Sequence, residues 1–319
     1  MPASRPRPLS ALRPPGQVAP RVAVLVLTFD QREKTLKCLA EVQRQEGAPF
    51  DVVLWDNGSG DGTAERVRMD FPEILVHAHP ENLGVASGRN AAAALAMERL
   101  DPSHLLFLDN DITPWPGFIR ALLAPFAHDP RLAQTQGKLR YTGDPERLND
   151  GGGHRVQFWL GRTTPVGYRE IDRGQHDRPA ACLPCGGAMM VRTDVFRDLG
   201  GFDPSFDPFG PEDLDFSLRV RNAGWHALYV PTAVAYHEVT HTFGAGYTEA
   251  YAQLKAQHWL RLIRRHASRW QQLGFVAVGG PWAVGQMILR EVRRGNVSAV
   301  RGVLRGAWEL GRSRFRAET

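Results

Sequence analysis

His104-Leu105-Leu106-Phe107-Leu108-Asp109-Asn110-Asp111 is the stretch on which the reading of this chain turns. A short apolar run ends abruptly in two carboxylates one residue apart. The run has the length and composition of a buried strand. Two carboxylates just past such a strand make an oxygen-rich corner. That corner suits Mg²⁺ or Mn²⁺, hard cations that also take phosphate oxygens. Asp-x-Asp alone is common in surface loops, so its weight comes from its neighbours.

Upstream, Arg21-Val-Ala-Val-Leu-Val-Leu27 is a continuous β-branched run, the mark of a strand buried on both faces. Residues 31–45 read as a helix with Leu36, Leu39, Ala40 and Val42 among polar positions. Val52-Val53-Leu54-Trp55 is a second buried strand, and Asp61-Gly62-Thr63 opens a helix to about Asp70. Ile74-Leu75-Val76 is a short third strand. Ser87 is placed to cap an Ala-rich helix that reaches about Leu100. Strands alternating with helices predict an α/β fold, a mostly parallel sheet with helices on both faces. Ligands on such sheets bind beyond the carboxyl ends of the strands. Thr28-Phe29, Asp56 and Asp109 all fall there.

Downstream, from Ile112 to about Gly246, Gly and Pro become frequent and helical segments short. This predicts a second half built onto the same sheet, with a long loop across 140–181. Beyond Gly246 the pattern is helical. Ala252, Ala256, Trp259, Leu262, Ile263 and Trp270 share one arc, opposite Arg261, Arg264 and Arg265. Val297, Val300, Leu304 and Trp308 form a second stripe, flanked by Arg301, Arg305 and Arg312. Either these are two helices packed on the body with solvated arginines, or they meet a membrane surface, where Trp and Arg together favour the headgroup region. The uncharged stretch Leu273–Leu289 contains Pro281, Gln286 and four glycines. It is short for a spanning helix and reads as a partly buried or interfacial element.

The net charge of +5 is unevenly spread. Residues 246–319 hold 13 Lys/Arg against 4 Asp/Glu, a net of +9, and Arg5, Arg7 and Arg13 add three more. The body between is therefore acidic, which argues against a general nucleic-acid binder. The basic end fits an anionic surface such as a cytoplasmic leaflet. Three cysteines, Cys38, Cys182 and Cys185, are too few for a disulfide scaffold. Cys182-Leu-Pro-Cys185 has redox or zinc spacing without a second pair, and reads as two small core residues beside a loop. Residues 1–20, rich in Pro and Arg, read as a disordered arm.

Three further stretches carry chemistry. Asp56-Asn57-Gly58-Ser59 ends a strand. Asp56 there could accept from a base or ribose, or the segment could be only a turn with Asp61 or Ser59 as cap. Asn82-Leu83-Gly84-Val85-Ala86-Ser87-Gly88-Arg89-Asn90 runs into a helix N-terminus, where backbone N–H groups favour phosphate and Arg89 could add a charged contact. Its spacing matches neither the phosphate-loop nor the dinucleotide fingerprint. Glu212-Asp213 heads a helix carrying Leu214, Leu218 and Val220. A carboxylate held on a rigid element suits a general base, and equally a first-turn charge favoured by the helix dipole. His237, in Ala235-Tyr236-His237-Glu238, could complete a divalent site or be an ordinary core histidine.

In this order the motifs resemble the inverting glycosyltransferases of family 2, which have the GT-A fold. The matching pieces are Leu27-Thr28-Phe29-Asp30, Asp56-Asn57-Gly58-Ser59, Asn82-Leu83-Gly84, Asp109-Asn110-Asp111, Gly186-Gly187-Ala188-Met189, Gly200-Gly201-Phe202-Asp203, Glu212-Asp213 with Arg219, and His237. They span about 21–240, and resemble most the rhamnosyltransferase-type and galactofuranosyltransferase-type branches acting on bacterial surface glycans. The resemblance implies a nucleotide-sugar half at 21–112, an acceptor-binding and catalytic half at 113–245, and a basic amphipathic helical extension at 246–319. It implies that Thr28 and Phe29 flank the base, that Asp56 bonds base or ribose, and that Arg89 and Asp109 help hold the donor. Asp111 and His237 would hold Mn²⁺ or Mg²⁺, Asp213 would be the base, and Glu212 and Gly187 would lie on the acceptor side. The implied partners are a UDP- or dTDP-sugar and a glycan or lipid-linked acceptor, for a cytoplasmic protein peripheral on the inner face of the membrane. Two departures stand out. Phe209-Gly210-Pro211 precedes the Glu-Asp pair where the family usually has Asp or Asn, and Asp30 stands where Asn is frequent. Two other classes fit the composition: an inactive sugar-nucleotide-binding protein, and a membrane-surface adaptor acting through the basic end.

Overall fold

The computed structural model describes residues 20–184, 187–239, 248–293, 298 and 300–306. The arm at 1–19, Cys185, Gly186, Val297, Trp308 and Arg312 lie outside the described residues. The chain divides into two units, one of residues up to 154 with 165–239, the other of 155–164 with 240–319.

In the first unit the elements run β1 (Val22–Thr28), α1 (Arg32–Gln43), β2 (Phe50–Asp56), α2 (Thr63–Asp70), β3 (Leu75–Ala78), α3 (Val85–Leu100) and β4 (His104–Asp109). Then come β5 (Ile112–Pro114), α4 (Phe118–Leu123), β6 (Leu132–Tyr141) and β7 (Asp144–Asp150). Next in the chain, and almost wholly in the second unit, is the two-stranded sheet of β8 (His154–Gln157) and β9 (Arg162–Pro165). Back in the main sheet are β10 (Ala180–Ala181), β11 (Ala188–Arg192), α5 (Thr193–Asp198), α6 (Glu212–Asn222) and β12 (His226–His237). The main sheet has the order β10-β12-β6-β11-β4-β1-β2-β3, with β5 on β12 and β7 on β6.

Strands β1 to β4 pair in parallel, and β1, β2 and β4 carry the near-continuous apolar runs expected of strands covered on both faces, while β3 is a half-buried edge. On one face Val24, Val26, Leu54, Leu106 and Leu108 meet Leu39 and Val42 of α1. On the other, Leu25, Val53 and Phe107 meet Ala92, Ala93 and Ala96 of α3. Alanines there let the helix lie close to the sheet. β11 enters antiparallel beside β4, and β12 runs parallel to β6. The sheet is therefore mixed, and its second half is anchored to the strand that ends in Asp109.

Two expectations are corrected. The segment 140–181 is not one long loop. It holds β7 to β10, and it is pinned by Lys138, whose ammonium pairs with Asp172 at 2.9 Å and also with Asp177. Arg140 adds a second contact to Asp172 at 2.6 Å, and these cations hold the Asp172 carboxyl down at about 2 against the cost of its burial. Ser87 does not precede its helix as a cap either. α3 starts at Val85, and Ser87 lies in the first turn.

In the second unit, α7 (Glu249–His266) buries Ala252, His258, Leu262 and Ile263. Trp270 does not continue that arc. Thr248 caps α7, Ser268 starts α8 (Arg269–Gly274) with a capping box, and Trp270 is 83% exposed. A π-helical turn, Phe275–Gly279, joins α8 to α9 (Gly280–Arg293). Together Arg269–Glu291 form a helix long and apolar enough to cross a membrane by length and composition, longer than Leu273–Leu289 alone suggests. Near residues 300–306, Gly302 and Gly306 sit against the backbone of Glu249 and Gln253, where a Cβ would clash. That glycine edge, and not Leu304, which is exposed, meets α7.

Candidate active site

The register of the central strands sets the site. Thr28 lies opposite Asp56, and Leu27 opposite Asp109, so three candidate positions share one level at the carboxyl edge. Thr28 is buried. Its hydroxyl lies 2.8 Å from that of Thr35, and Asn110 donates to both, at 3.2 and 3.0 Å. Thr28 thus fixes the middle residue of Asp-Asn-Asp. Phe29, next along, is 40% exposed at the rim. Asp56 is buried, with one carboxylate oxygen accepting from Ser59 N at 2.8 Å. Asp61 accepts from Thr63 N at 3.1 Å, a local cap that holds its carboxyl low although burial opposes this.

Asp109 N donates to Gly187 O at 2.6 Å. A Cβ on Gly187 would fall on the Asp109 carboxylate, so only glycine permits this approach. The carboxylate accepts from Arg89 Nη2 at 2.6 Å, and Arg89 Nη1 donates to Glu212 Oε1 at 2.9 Å. Arg89 and Glu212 are both buried. Burial disfavours the Arg89 cation, but Asp109, Glu212 and Asp213 outweigh it and raise its pKa. Burial and the neighbouring Asp213 push Glu212 the other way from an ordinary carboxylate, up to about 8, against the pull of Arg89. The Glu212 Oε2 atom is buried without a hydrogen bond. Asp213 is half-buried at the first turn of α6 and accepts from Leu214 N at 2.5 Å.

Asp111 faces His237. Nε2 of the ring lies 3.3 Å from Asp111 Oδ1, and Nδ1 lies 3.0 Å from Asn149 Oδ1. Asn149 Oδ1 accepts from Nδ1–H, and the contact with Asp111 is a hydrogen bond when Nε2 carries its proton; a cation bound there would take the place of that proton. Burial lowers the His237 pKa, but the Asp111 hydrogen bond and charge raise it overall. Among the described residues no group of three His, Cys, Asp or Glu is placed to hold a metal ion. One carboxylate and one imidazole fit a cation that takes its other ligands from a diphosphate and water.

The α3 N-terminus, which the sequence offered to phosphate, is occupied in this structure by a carboxylate of the chain itself. Asp207 fills it, accepting from Ala86 N at 2.8 Å and from Ser87 Oγ at 2.5 Å. Among cysteines, Cys38 is buried beneath Asp109, its thiol 3.7 Å from that residue's carbonyl oxygen, and Cys182 is half-buried.

A model of the family described as glycosyltransferase-like family 2 matches residues 20–259. The chain belongs to this family. It is a glycosyltransferase, and its sheet with flanking helices is the GT-A fold. Family 2 relatives include the N-acetylglucosaminyl-diphospho-decaprenol L-rhamnosyltransferase of Mycobacterium tuberculosis, 27% identical over 85% of this chain and 95% of the relative. Validoxylamine A glucosyltransferase of Streptomyces hygroscopicus subsp. limoneus is 27% identical over 78% of this chain and 57% of its own length. Among solved structures, GalNAc-T7 with UDP, GalNAc and Mn²⁺ matches with a TM-score of 0.62 at 16% identity, over 78% of this chain and 48% of that one. Mannosyltransferase PcManGT from Pyrobaculum calidifontis, with GDP-Man and Mn²⁺, matches at 0.54 and 17% identity, over 94% and 90%.

Sequence reasoning gave no role to several residues that hold this family 2 site together. Asn57 donates to Asn82 at 2.9 Å and to Gly84 O at 3.1 Å, and accepts from Leu83 N at 3.1 Å. Arg219 donates to Asp215, Leu199 O and Gly201 O, tying α6 to the Gly-Gly-Phe-Asp turn. Asn149 and Asp207 belong with them. Apart from the local Arg219–Asp215 pair, their partners are 18 to 121 residues away, so no local pattern marks them.

Proposed function

We propose that this chain is a metal-dependent inverting transferase that moves a sugar from a UDP- or dTDP-sugar to a hydroxyl of a lipid-linked glycan. The observation that carries the reading is the Arg89 bridge. One buried guanidinium binds Asp109, from the Asp-Asn-Asp corner, and Glu212, from the Glu-Asp pair. The two motifs with the chemistry therefore meet in one place.

The donor lies over the carboxyl ends of β1, β2 and β4, with Phe29 and Asp56 toward the nucleoside. Asp111 and His237 would hold Mn²⁺ or Mg²⁺, a cation that would offset the charge building on a diphosphate leaving group. Asp213, half-buried on a rigid helix, takes the proton of the acceptor hydroxyl, a contribution of roughly 10²–10⁴-fold. One base and one in-line displacement invert the anomeric centre. Glu212, its carboxyl pushed toward the neutral form by burial and Asp213, lies on the acceptor side together with Gly187, its buried Oε2 without a hydrogen bond.

The lipid-linked acceptor is supported by the decaprenol-linked substrate in the mycobacterial relative's name. It is supported also by the exposed Trp270, Leu273, Val276 and Trp282 along α8 and α9, bounded by Arg269, Arg290 and Arg293. They support a reading in which the protein works on the inner face of the cytoplasmic membrane, in bacterial surface-polysaccharide synthesis. The test is Asp213→Asn. Transfer should fall by about 10²-fold or more, with nucleotide affinity within about twofold. Full transfer by that variant would remove Asp213 from the role of base.

A further inference from the structure

The first turn of α3 grips the segment that leads to the base. Asp207 Oδ1 accepts from Ala86 N at 2.8 Å, and Ser87 N points at both carboxylate oxygens, at 3.4 and 3.2 Å. Ser87 Oγ donates to Oδ2 at 2.5 Å, and Val85 N donates to Pro208 O at 3.1 Å. The other side of this contact is shaped to match. Gly84 has φ 88°, and a Cβ there would land on the Asp207 carboxylate. One turn on, Asn90 holds both backbone groups of Phe202, at 2.9 and 2.8 Å, and Arg89 holds Glu212. One helix therefore fixes the same segment at 202, at 207–208 and at 212.

The core explains the first grip, since Phe202 and Phe206 are buried. It does not explain the second. Asp207 is polar, half-buried, and makes charge-assisted bonds to amides carrying the positive end of the α3 dipole. Only Phe209, Gly210, Pro211 and Glu212 lie between this grip and Asp213. A span so short transmits a shift at Asp207 directly to Asp213, and misplacement by about 1 Å costs about 10²-fold in rate.

We propose that Asp207 is a positioning residue: seated on the α3 N-terminus, it holds residues 208–213 so that the Asp213 carboxylate faces the acceptor hydroxyl. The proposal rests on Asp213 as the base. It also means that the anion-binding end of α3 is taken by the chain's own carboxylate, and the donor diphosphate binds elsewhere.

The test uses the full chain with Asp207→Ala, the near-isosteric Asp207→Asn, Gly84→Ala from the opposite side of the contact, and Asp213→Asn as reference. Amide hydrogen exchange is followed over 84–90 and 202–214, with β1, β2 and β4 as internal controls. Sugar transfer or donor hydrolysis is measured on UDP- and dTDP-sugars with Mn²⁺, alongside UDP and dTDP affinity, at a temperature where every variant is folded. We expect exchange in 202–214 to rise about tenfold in Asp207→Ala and Gly84→Ala. Turnover should drop about ten- to a hundredfold with nucleotide affinity unchanged, and Asp207→Asn, with one carbonyl acceptor left, should recover part of both. Wild-type turnover in Asp207→Asn and Asp207→Ala, whatever their melting temperatures, would overturn the proposal. Wild-type turnover in Asp213→Asn would instead overturn the assignment of the base. Loss in Asp213→Asn alone separates the two, leaving the base and removing Asp207.

Discussion

Arg89 carries three jobs in one side chain. It offsets part of the charge of Asp109, Glu212 and Asp213, it donates to the carboxyl groups of half-buried Asp109 and buried Glu212, and it joins the two halves of the site. A planar fork can do this, and a lysine cannot reach both partners in the same geometry. Breaking a buried ion pair by removing one partner typically costs about 3–5 kcal/mol. Arg89→Ala should therefore lower unfolding free energy by about that amount in urea titrations, and Arg89→Lys should restore less than half. Glu212→Gln should behave differently. Because burial and Asp213 already push the Glu212 carboxyl toward its neutral form, a neutral isostere should cost less than about 1.5 kcal/mol. A cost of Glu212→Gln equal to that of Arg89→Ala would mean that Glu212 is ionised in the folded protein.

At the scale of elements, what could be read from sequence and what could not have a common physical basis. β1, β2 and β4 were legible because strands covered on both faces must be continuously apolar, and α3 because alanines at helical spacing pack close to a sheet. The order of motifs gave the family, and the structure brings Asp109 to Glu212 through Arg89 and Asp111 to His237. The path of 140–181 was not legible, because Lys138, Arg140 and Asp172 hold it by long-range charge. Ser87 looked like a cap because the true cap, Asp207, is 120 residues away. β4 offers a further test at its first residue. His104 is buried against Phe126, and burial, helped by nearby Arg192, pulls its pKa from 6.5 to about 4. The unfolded chain binds that proton near pH 6.5, while the folded one resists it until about 4. Stability from neutral His104 is thus complete above pH 6.5 and is lost as pH falls toward 4. Between pH 7 and 4.5 the wild type should lose about 2 kcal/mol more than His104→Gln. Parallel losses in the two proteins would show that His104 does not titrate on unfolding.

At the scale of the whole molecule, an acidic body and a basic, Trp-bearing end belong to different environments. Residues 246–319 carry a net +9, and Trp270, Val276 and Trp282 lie exposed on a helix flanked by arginines. Such a surface should bind vesicles containing anionic phosphatidylglycerol, with about 1 kcal/mol per basic residue near the membrane, and bind neutral phosphatidylcholine vesicles much less. Alkaline carbonate should release the protein from native membranes if Arg269–Glu291 lies in the interface, and should leave it behind if that helix spans. In the proposed reaction a divalent cation at Asp111 and His237 would join protein to donor diphosphate. That link is tested most directly by a thermal-shift panel of UDP, dTDP, GDP and CMP, each with Mn²⁺ and with chelator, on the wild type and on Asp111→Ala. A nucleotide at about 100 times its dissociation constant adds roughly 2.7 kcal/mol of stability. UDP or dTDP should raise the melting temperature only with Mn²⁺, and Asp111→Ala should lose that rise. Equal stabilisation in chelator, or an undiminished rise in Asp111→Ala, would contradict a metal-held donor at this site.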